Sequence, residues 1–335
     1  MMARPTLNGT FRLLLLLTAA VFCYSNQALA QYTITKLVTT TQDPHLKNGW
    51  GMAYLPTGPF WISDEGTGLS TVYDANGTIV PLVVTIPPAS TGTGSPTGML
   101  ANTTPGFVIT QNGKSAPAAF IFNTLDGTIS GWASSVNNGS AVIAVNNGGK
   151  ANYTGLAIGN VGTQPVLYAA NQTTNKIEIY DSTFTLRKTF TDTKLTGMTV
   201  YGVSFIKNLV IVTFEGASTG AVDVFSPTGT LLKSIPPSSV LKGPWGLALA
   251  PSNFGPLSNT LLVGNVDDGR INAFSTTTGR LVGSIKDKGG NFISIPGLWA
   301  IEFGGGATAN GNTNQLFYAA GTNFYSTGEF GVINP

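Results

Sequence analysis

Short apolar runs separated by turn-forming residues recur along the chain after its first thirty residues. In residues 48–87, three such runs follow an aromatic-glycine pair, and each is closed by Gly, Pro, Asn or Asp. Apolar runs of about four to eight residues between turn residues are typical of β-strands. We find no convincing run with apolar residues at i, i+3, i+4 and i+7, so the pattern predicts an all-β chain without long helices.

The same pattern repeats. A first-strand motif starts six times, roughly 45 to 55 residues apart, which is the period of propeller blades. The six motifs are "GWGMAYL" at Trp50, "SPTGMLA" at Thr97, "NYTGLAI" at Thr154, "TVYGVSF" at Tyr201, "GPWGLAL" at Trp245 and "GLWAIEF" at Trp299. Each leads to a second and a third apolar run. The end of the second run and the end of the third lie nine residues apart in five repeats and ten in the other.

A fourth, outer strand follows in five repeats, as "TIVPLVVTI", "SAVIAVN", "LRKTFT", "TLLKSI" and "RLVGSI". The sixth repeat has none, because the chain ends at Pro335. An unpaired blade edge invites aggregation, and ring closure removes such an edge. The alternating segment "YTITKLV", residues 32–38, is therefore predicted to complete the last blade. The fold class predicted is a six-bladed β-propeller of four-stranded blades, closed by an N-terminal strand.

The stretches "PWGLALAP", "GPFWISDEGTGLSTVYD", "DGTISGW" and "NVDDGRINAF" resemble an uncharacterised family of exported bacterial six-bladed β-propellers. Some members of that family carry a Pro-Glu-Pro sorting tail, and the family is distantly similar to NHL-repeat propellers. The resemblance covers essentially the whole mature chain. It implies fold and export, but no catalytic residues, since the family has no established reaction. The ending "GEFGVINP" lacks the sorting motif, which favours release of the protein.

Residues 1–30 read as a secretory signal, leaving residues 31–335 as a single domain. Arg4 and Arg12 precede the apolar run 13–22, and Ala28-Leu29-Ala30 forms a cleavage site. Cleavage removes Cys23, the one cysteine, and leaves 15 Lys+Arg against 15 Asp+Glu. A neutral chain without a clustered basic footprint excludes nucleic acid as a partner, and the mature chain has no apolar stretch long enough to span a membrane.

In a propeller, the loops from strand two to strand three conventionally open around the central channel. The nine-residue register is therefore expected to gather exposed polar turn residues on that face, beside aromatic residues from the first strands. Polar groups beside aromatic walls are typical of a small-ligand site, so this face is the candidate site for a small polar ligand or an extracellular partner. The candidate residues are Asp64, Asn123, Asn171, Glu215, Asn265, Trp50, Tyr201, Trp245 and Trp299. The alternative interpretation makes the polar residues turn formers and the tryptophans packing elements.

A cofactor is not identified by the sequence. Bound Ca²⁺ is an alternative, because Asp64-Glu65, Glu215 and Asp267-Asp268 offer hard oxygen ligands, although no linear calcium loop is present. His45 is the one histidine, and it lies in a predicted loop.

Two functions remain open: a secreted binding or interaction module that uses the channel-mouth face, and a metal-dependent hydrolase or lyase. The low histidine content favours the first.

Overall fold

The computed structural model describes Met1 and residues 32–335, so the predicted signal segment lies, apart from Met1, outside the described residues. The described chain consists of 26 β-strands and two short 3-10 turns, Gly148–Lys150 and Gly255–Leu257. Within these residues there is no helix of sufficient length and apolarity to cross a bilayer. The prediction of an all-β fold is confirmed.

The chain enters through β1 (Thr33–Thr39) and then builds the blades in order. Blade one contains β2 (Gly49–Tyr54), β3 (Phe60–Asp64), β4 (Leu69–Tyr73) and β5 (Val84–Thr85). Blade two contains β6 (Pro96–Ala101), a separate hairpin β7 (Val108–Gln111) and β8 (Lys114–Pro117), then β9 (Phe120–Thr124), β10 (Thr128–Trp132) and β11 (Val142–Asn146). Blade three contains β12 (Tyr153–Val161), β13 (Gln164–Asn171), β14 (Lys176–Asp181) and β15 (Leu186–Phe190).

The second half repeats this plan. Blade four contains β16 (Thr199–Ile206), β17 (Leu209–Glu215), β18 (Gly220–Phe225) and β19 (Leu231–Ser238). Blade five contains β20 (Pro244–Leu249), β21 (Thr260–Asn265), β22 (Ile271–Ser275) and β23 (Leu281–Ser284). Blade six contains β24 (Leu298–Phe303), β25 (Leu316–Thr322) and β26 (Thr327–Asn334). All neighbouring strands within the blades are antiparallel.

Strand β1 completes blade six, as the sequence predicts. It pairs antiparallel with β26 from Thr33, opposite Asn334, to Thr39, opposite Glu329. Lys36 also forms an ion pair of 2.7 Å with the buried Glu329. Just before the strand, the Tyr32 hydroxyl donates to the carbonyl oxygen of Phe254 in the neighbouring blade at 2.8 Å. The segment that begins at Tyr32 and the C-terminal strand β26 therefore meet in one blade and give it the same four strands as the other blades.

Packing between blades explains why the inner strands are apolar on both faces. Every residue of β3 and β9 is buried, whereas four of the five residues of the outer strand β15 are exposed. The core lies between neighbouring blades. Trp61 of blade one stacks on Phe120 of blade two with ring centroids 4.2 Å apart, and Phe60 packs on Phe317 of blade six at 4.4 Å.

A recurrent glycine allows the first strands to approach one another around the channel. A Cβ atom added to Gly51, Gly98, Gly155, Gly202 or Gly246 would fall under 3.0 Å from backbone atoms of the next blade's first strand. These glycines belong to the repeated motif of the sequence. The sixth motif has Ala300 at the matching place. In two motifs, the residue before the glycine also connects the neighbouring blades. The hydroxyl of Thr97 donates to the carbonyl oxygen of Tyr153 at 2.7 Å, and the hydroxyl of Thr154 donates to that of Tyr201 at 2.6 Å.

Two details differ from the sequence prediction. The predicted outer strand "TIVPLVVTI" of blade one is reduced to the two residues of β5 and an isolated bridge between Tyr73 and Ile79. Pro81 explains the loss, because proline has no N–H to donate to a ladder. The hairpin β7–β8 was not predicted, since it interrupts the four-strand repeat.

Gly202→Ala should lower the free energy of unfolding by about 3 kcal/mol, because the new methyl group would meet the fixed backbone of Trp245. Chemical unfolding measures this change. The control is Gly139→Ala, whose added Cβ meets nothing within 4 Å and should change stability by less than about 0.5 kcal/mol. Equal effects of the two substitutions would show that close approach of the first strands does not constrain the ring.

Candidate functional site

Four aromatic side chains fill the central channel near the starts of the first strands. Trp50 stacks on Trp299 with ring centroids 3.6 Å apart, and Trp245 meets both rings edge-on at 6.4 and 6.1 Å. Tyr201 packs edge-on against Trp299 at 5.9 Å. Trp50, Tyr201 and Trp299 are buried, and Trp245 is half-buried. We call these four residues the aromatic plug, since they close the channel at the end where a ligand was expected.

Hydrogen bonds fix two of the indoles. Trp299 Nε1 donates to Asn48 Oδ1 at 2.8 Å, and Trp245 Nε1 donates across the channel to the carbonyl oxygen of Thr154 at 3.0 Å. Trp50 Nε1 is buried and has no hydrogen-bond partner among the described residues. The plug is thus a packing element that connects several blades, as the alternative interpretation of the tryptophans expects.

The polar candidates occupy matching positions at the ends of second strands, but four of them are buried. Asp64, Asn123, Asn171 and Asn265 are at most 1% exposed, and Glu215 is half-buried. The expectation of exposed turn residues is therefore wrong for these four. Three of them bond to the protein itself. The side-chain nitrogens of Asn123, Asn171 and Asn265 donate to Gly155 O, Glu178 Oε1 and Val240 O at 2.9, 2.8 and 2.8 Å.

Glu215 is the polar candidate that remains near the channel mouth. It accepts a hydrogen bond of 2.7 Å from Gln172 Nε2. Burial raises its pKa, and the charge of Asp267 adds to this rise. The charges of Glu215 and Asp267 also raise the pKa of Tyr201 in the plug, after the larger effect of burial. The outer side of the plug therefore carries two neighbouring carboxyl groups.

The proposed calcium ligands do not come together. Asp64 lies between blades one and six beside Asp43, away from the pair Glu215 and Asp267. Within residues 32–335, no three His, Cys, Asp or Glu side chains converge in a geometry suited to a metal ion. His45 is exposed. The sequence candidates therefore do not form one metal centre or a catalytic group around His45.

A cavity of about 450 Å³ occupies the other half of the channel. It lies on the side of the loops that join strand one to strand two, because the carboxyl-terminal halves of all six first strands line it. Trp245 of the plug borders it. Most of the side chains that line it are apolar, although backbone groups make much of its exposed surface polar. The apolar lining includes Met52, Met99, Leu156, Leu247, Ile301 and Phe303, and its polar side chains are Tyr54, Ser204 and Glu302.

Glu302 is the carboxylic acid among the residues that line this cavity. Burial raises its pKa to about 8, so most of the molecules carry a neutral carboxyl group at pH 7. The neighbouring Tyr54 donates its hydroxyl to the carbonyl oxygen of Phe303 at 2.7 Å. Among the described residues, Glu302 has no hydrogen-bond partner, and its side chain is half-buried because it borders the cavity. Its carboxyl group is thus free to bond a ligand.

Sequence reasoning did not find this cavity, although a signal was present. In β24, the first strand of blade six ("LWAIEF"), apolar residues surround Glu302, the one charged residue of that strand. A carboxylate in an inner strand is costly to bury, and such a group is a candidate for function. Turn chemistry marks only the ends of strands, so it does not identify a residue within a strand.

The buried carboxylates of the blades fall into two kinds. Some have donors from the protein: Glu178 accepts from the Tyr153 and Tyr180 hydroxyls at 2.7 Å each, and Glu329 accepts from Tyr318 at 2.6 Å. By contrast, Asp64 and Asp223 are fully buried, and none of their carboxylate oxygens has a hydrogen-bond partner in the described part of the chain. Each lies near a second aspartate, Asp43 and Asp192 respectively.

Comparison with known proteins gives three relatives by sequence. No family model matches the chain. Uncharacterized protein R648 of Acanthamoeba polyphaga mimivirus is 28% identical over 300 residues, which are 83% of this chain and 72% of that protein. Protein L690 of the same virus is 26% identical over 81% of this chain and 79% of its own length. Protein R640, at 29% identity, is matched over 58% of this chain and 40% of its own length.

Solved structures with the same architecture are more distant. Virginiamycin B lyase from Staphylococcus aureus has a TM-score of 0.56 at 12% identity, covering 91% of this chain and 100% of the lyase. The PQQ-bound aldose sugar dehydrogenase from Streptomyces coelicolor has a TM-score of 0.57 at 13% identity, covering 91% and 98%. Such low identity establishes the propeller fold alone. The relatives found by sequence are viral, so the resemblance to a bacterial family with a sorting tail stays a prediction.

Asp223 should make stability depend on pH. Burial, reinforced by Asp192, raises its pKa from 3.8 to about 6, while nearby Ser234 lowers it. The folded state therefore binds the proton more tightly than the unfolded chain, and stability falls as pH rises from about 4 to about 6. Asp223→Asn should remove this fall. Thermal unfolding of both proteins at pH 4.5 and pH 7, with chelator present, measures it.

Asp181→Asn is the matched control on the neighbouring blade. Hydrogen bonds from Thr183, Thr185 and Arg187 outweigh burial and lower the pKa of Asp181 to about 2. This carboxylate gains stability above its unfolded pKa, so its loss should lower Tm at pH 7 and matter less near pH 2. If Asp223→Asn also lowers Tm more at pH 7 than at pH 4.5, the direction derived for Asp223 is wrong.

Proposed function

We propose that this protein is a secreted binding module whose central channel holds a small, largely apolar ligand with one hydrogen-bonding group. The observation that carries the proposal is the cavity of about 450 Å³, bordered by the plug and containing the neutral carboxyl group of Glu302. Ligand pockets typically have volumes of about 300–1,000 Å³ and apolar walls with a few polar groups. Secretion rests on the predicted signal segment, and no ligand chemistry is transferred from the lyase or dehydrogenases of similar fold.

The carboxyl group of Glu302 selects the polar end of the ligand. As a neutral acid, it donates its proton to a carbonyl, ether or hydroxyl oxygen, and it accepts from a hydroxyl or amide. An anionic group placed beside it would lose hydration without gaining an ion pair. The proposal therefore favours a neutral ligand with an oxygen acceptor. Of the residues expected from the sequence to bind a ligand, Trp245 borders the cavity and is assigned to its floor.

A neutral fluorophore with a ketone, 6-propionyl-2-(dimethylamino)naphthalene, has the size and chemistry of the proposed ligand. It should bind with enhanced, blue-shifted emission. Ser204→Trp places an indole in the cavity and should weaken binding at least about tenfold, a loss of about 1.4 kcal/mol. The control is Thr189→Trp on the exposed outer strand β15, which should bind as the wild type does. Unchanged binding by Ser204→Trp would exclude the cavity as the site.

The affinity of the same fluorophore should fall as pH rises through about 8, because the ionised Glu302 cannot donate to a ketone oxygen. A hydrogen bond of about 1.5 kcal/mol corresponds to a loss of about tenfold between pH 7 and pH 9.5. Glu302→Gln keeps a donor at every pH and should give a flat profile. Fluorescence titration at several pH values measures both proteins. A fall of equal size in Glu302→Gln would remove Glu302 from the binding site.

A further inference from the structure

The place where the ring closes contains a group of buried oxygen atoms. Asp43 lies in the loop that follows β1, the closing strand of blade six. Asp64 ends β3 and Thr71 lies in β4, both in blade one. All three side chains are buried, at 5%, 0% and 1% exposure. The group therefore joins the closing segment to the first blade.

The contacts show that these side chains face one another. The Tyr73 hydroxyl donates to Asp43 Oδ2 at 2.9 Å, and the charges of both Asp43 and Asp64 raise the pKa of Tyr73, after the larger effect of burial. Burial raises the pKa of Asp64, Thr71 offsets part of this rise, and the charge of Asp43 adds to it. Asp43 and Asp64, Thr71 Oγ1 and the Tyr73 hydroxyl thus surround one small region.

The protein leaves three of these oxygens unsatisfied. Neither carboxylate oxygen of Asp64 nor the hydroxyl of Thr71 has a hydrogen-bond partner among residues 32–335, although all three atoms are inaccessible. Asp43 is better provided for, since its Oδ1 accepts from the backbone N–H of His45 at 2.9 Å. The two ion pairs of the described chain, Lys36–Glu329 and Arg187–Asp181, do not include either aspartate of this group. Buried carboxylates without partners are costly, and such charges are ordinarily paired or coordinate metals.

We propose that Asp43, Asp64 and Thr71 bind one hard divalent cation, Ca²⁺ or Mg²⁺, at the seam between the closing segment and blade one. Carboxylate and hydroxyl oxygens without nitrogen or sulfur ligands suit these two ions. The cation would neutralise the buried aspartates and hold the loop after β1 against blade one. Its role would be to stabilise ring closure, independently of ligand binding in the channel.

The arrangement at Asp192 and Asp223 provides an internal comparison. Asp192 Oδ1 accepts from the backbone N–H of Lys194 at 2.8 Å, and the hydroxyl of Ser234 lies near enough to lower the pKa of Asp223. Asp223 lies in β18 of blade four and Asp192 in the segment that joins blades three and four, so the pair is away from the seam. Asp223→Asn should therefore leave the cation response of the seam unchanged.

The purified mature protein is treated with chelator, then supplied with CaCl₂ or MgCl₂ in separate arms. The expected result is one equivalent of bound cation by elemental analysis. At a free-cation concentration 100 times the dissociation constant, Tm should rise by about 5 °C. Asp64→Asn should abolish both the bound equivalent and the Tm response. Without cation, its Tm should equal or exceed that of the wild type, because one buried charge is gone.

Thr71→Val is the second variant, to be used also if Asp64→Asn does not fold, and it should weaken cation binding at least about tenfold. Asp287→Asn, at an exposed turn of blade five, is the matched control and should respond as the wild type does. Absence of bound cation and of any Tm response in the wild type would overturn the proposal. A full response in Asp64→Asn or Thr71→Val would also overturn it.

Discussion

The close approach of the six first strands around the channel is the constraint on which the rest of the structure depends. Five of the six strands achieve it with a glycine that faces the backbone of the next blade, as Gly155 does with Tyr201 O, only 2.9 Å from where a Cβ would lie. Packing at this distance leaves no freedom to adjust individual blades. The radius of the channel is therefore fixed by backbone atoms, and the side chains of the first strands must fill the remaining space.

The plug and the cavity are two consequences of that fixed radius. At one end, Trp50 and Trp299 of the adjacent blades one and six stack on each other, and Trp245 and Tyr201 complete the filling. At the other end, medium-sized side chains such as Met52, Met99 and Leu156 leave about 450 Å³ empty. Because the four plug residues fill one end, the channel becomes a pocket closed at that end instead of an open pore. The same strands thus supply both the rigidity of the ring and the place for a ligand.

The sequence predicted the architecture well because strand period, turn residues and closure are local signals that agree with each other. It predicted the closing strand from an unfilled edge, and β1 pairs with β26 as expected. The candidate site was harder, since exposure depends on packing between blades. Asn265 follows ordinary turn chemistry, yet its side chain is buried and bonds to Val240 O. Glu302 carries no turn signal at all, and only the closed ring shows that its carboxyl group meets a cavity.

Closure of the ring also explains why Asp64 is left unsatisfied beside Asp43. Within a blade, antiparallel neighbours bring tyrosines beside Glu178, and the carboxylate is satisfied by residues of the same unit. At the seam, β1 and its following loop come from the opposite end of the chain from β26, and Asp43 of that loop meets Asp64 of blade one. Two acidic residues facing each other across a seam oppose its closure unless a proton or a cation lies between them. The stability of ring closure therefore depends on the ionic conditions as well as on the pairing of β1 with β26.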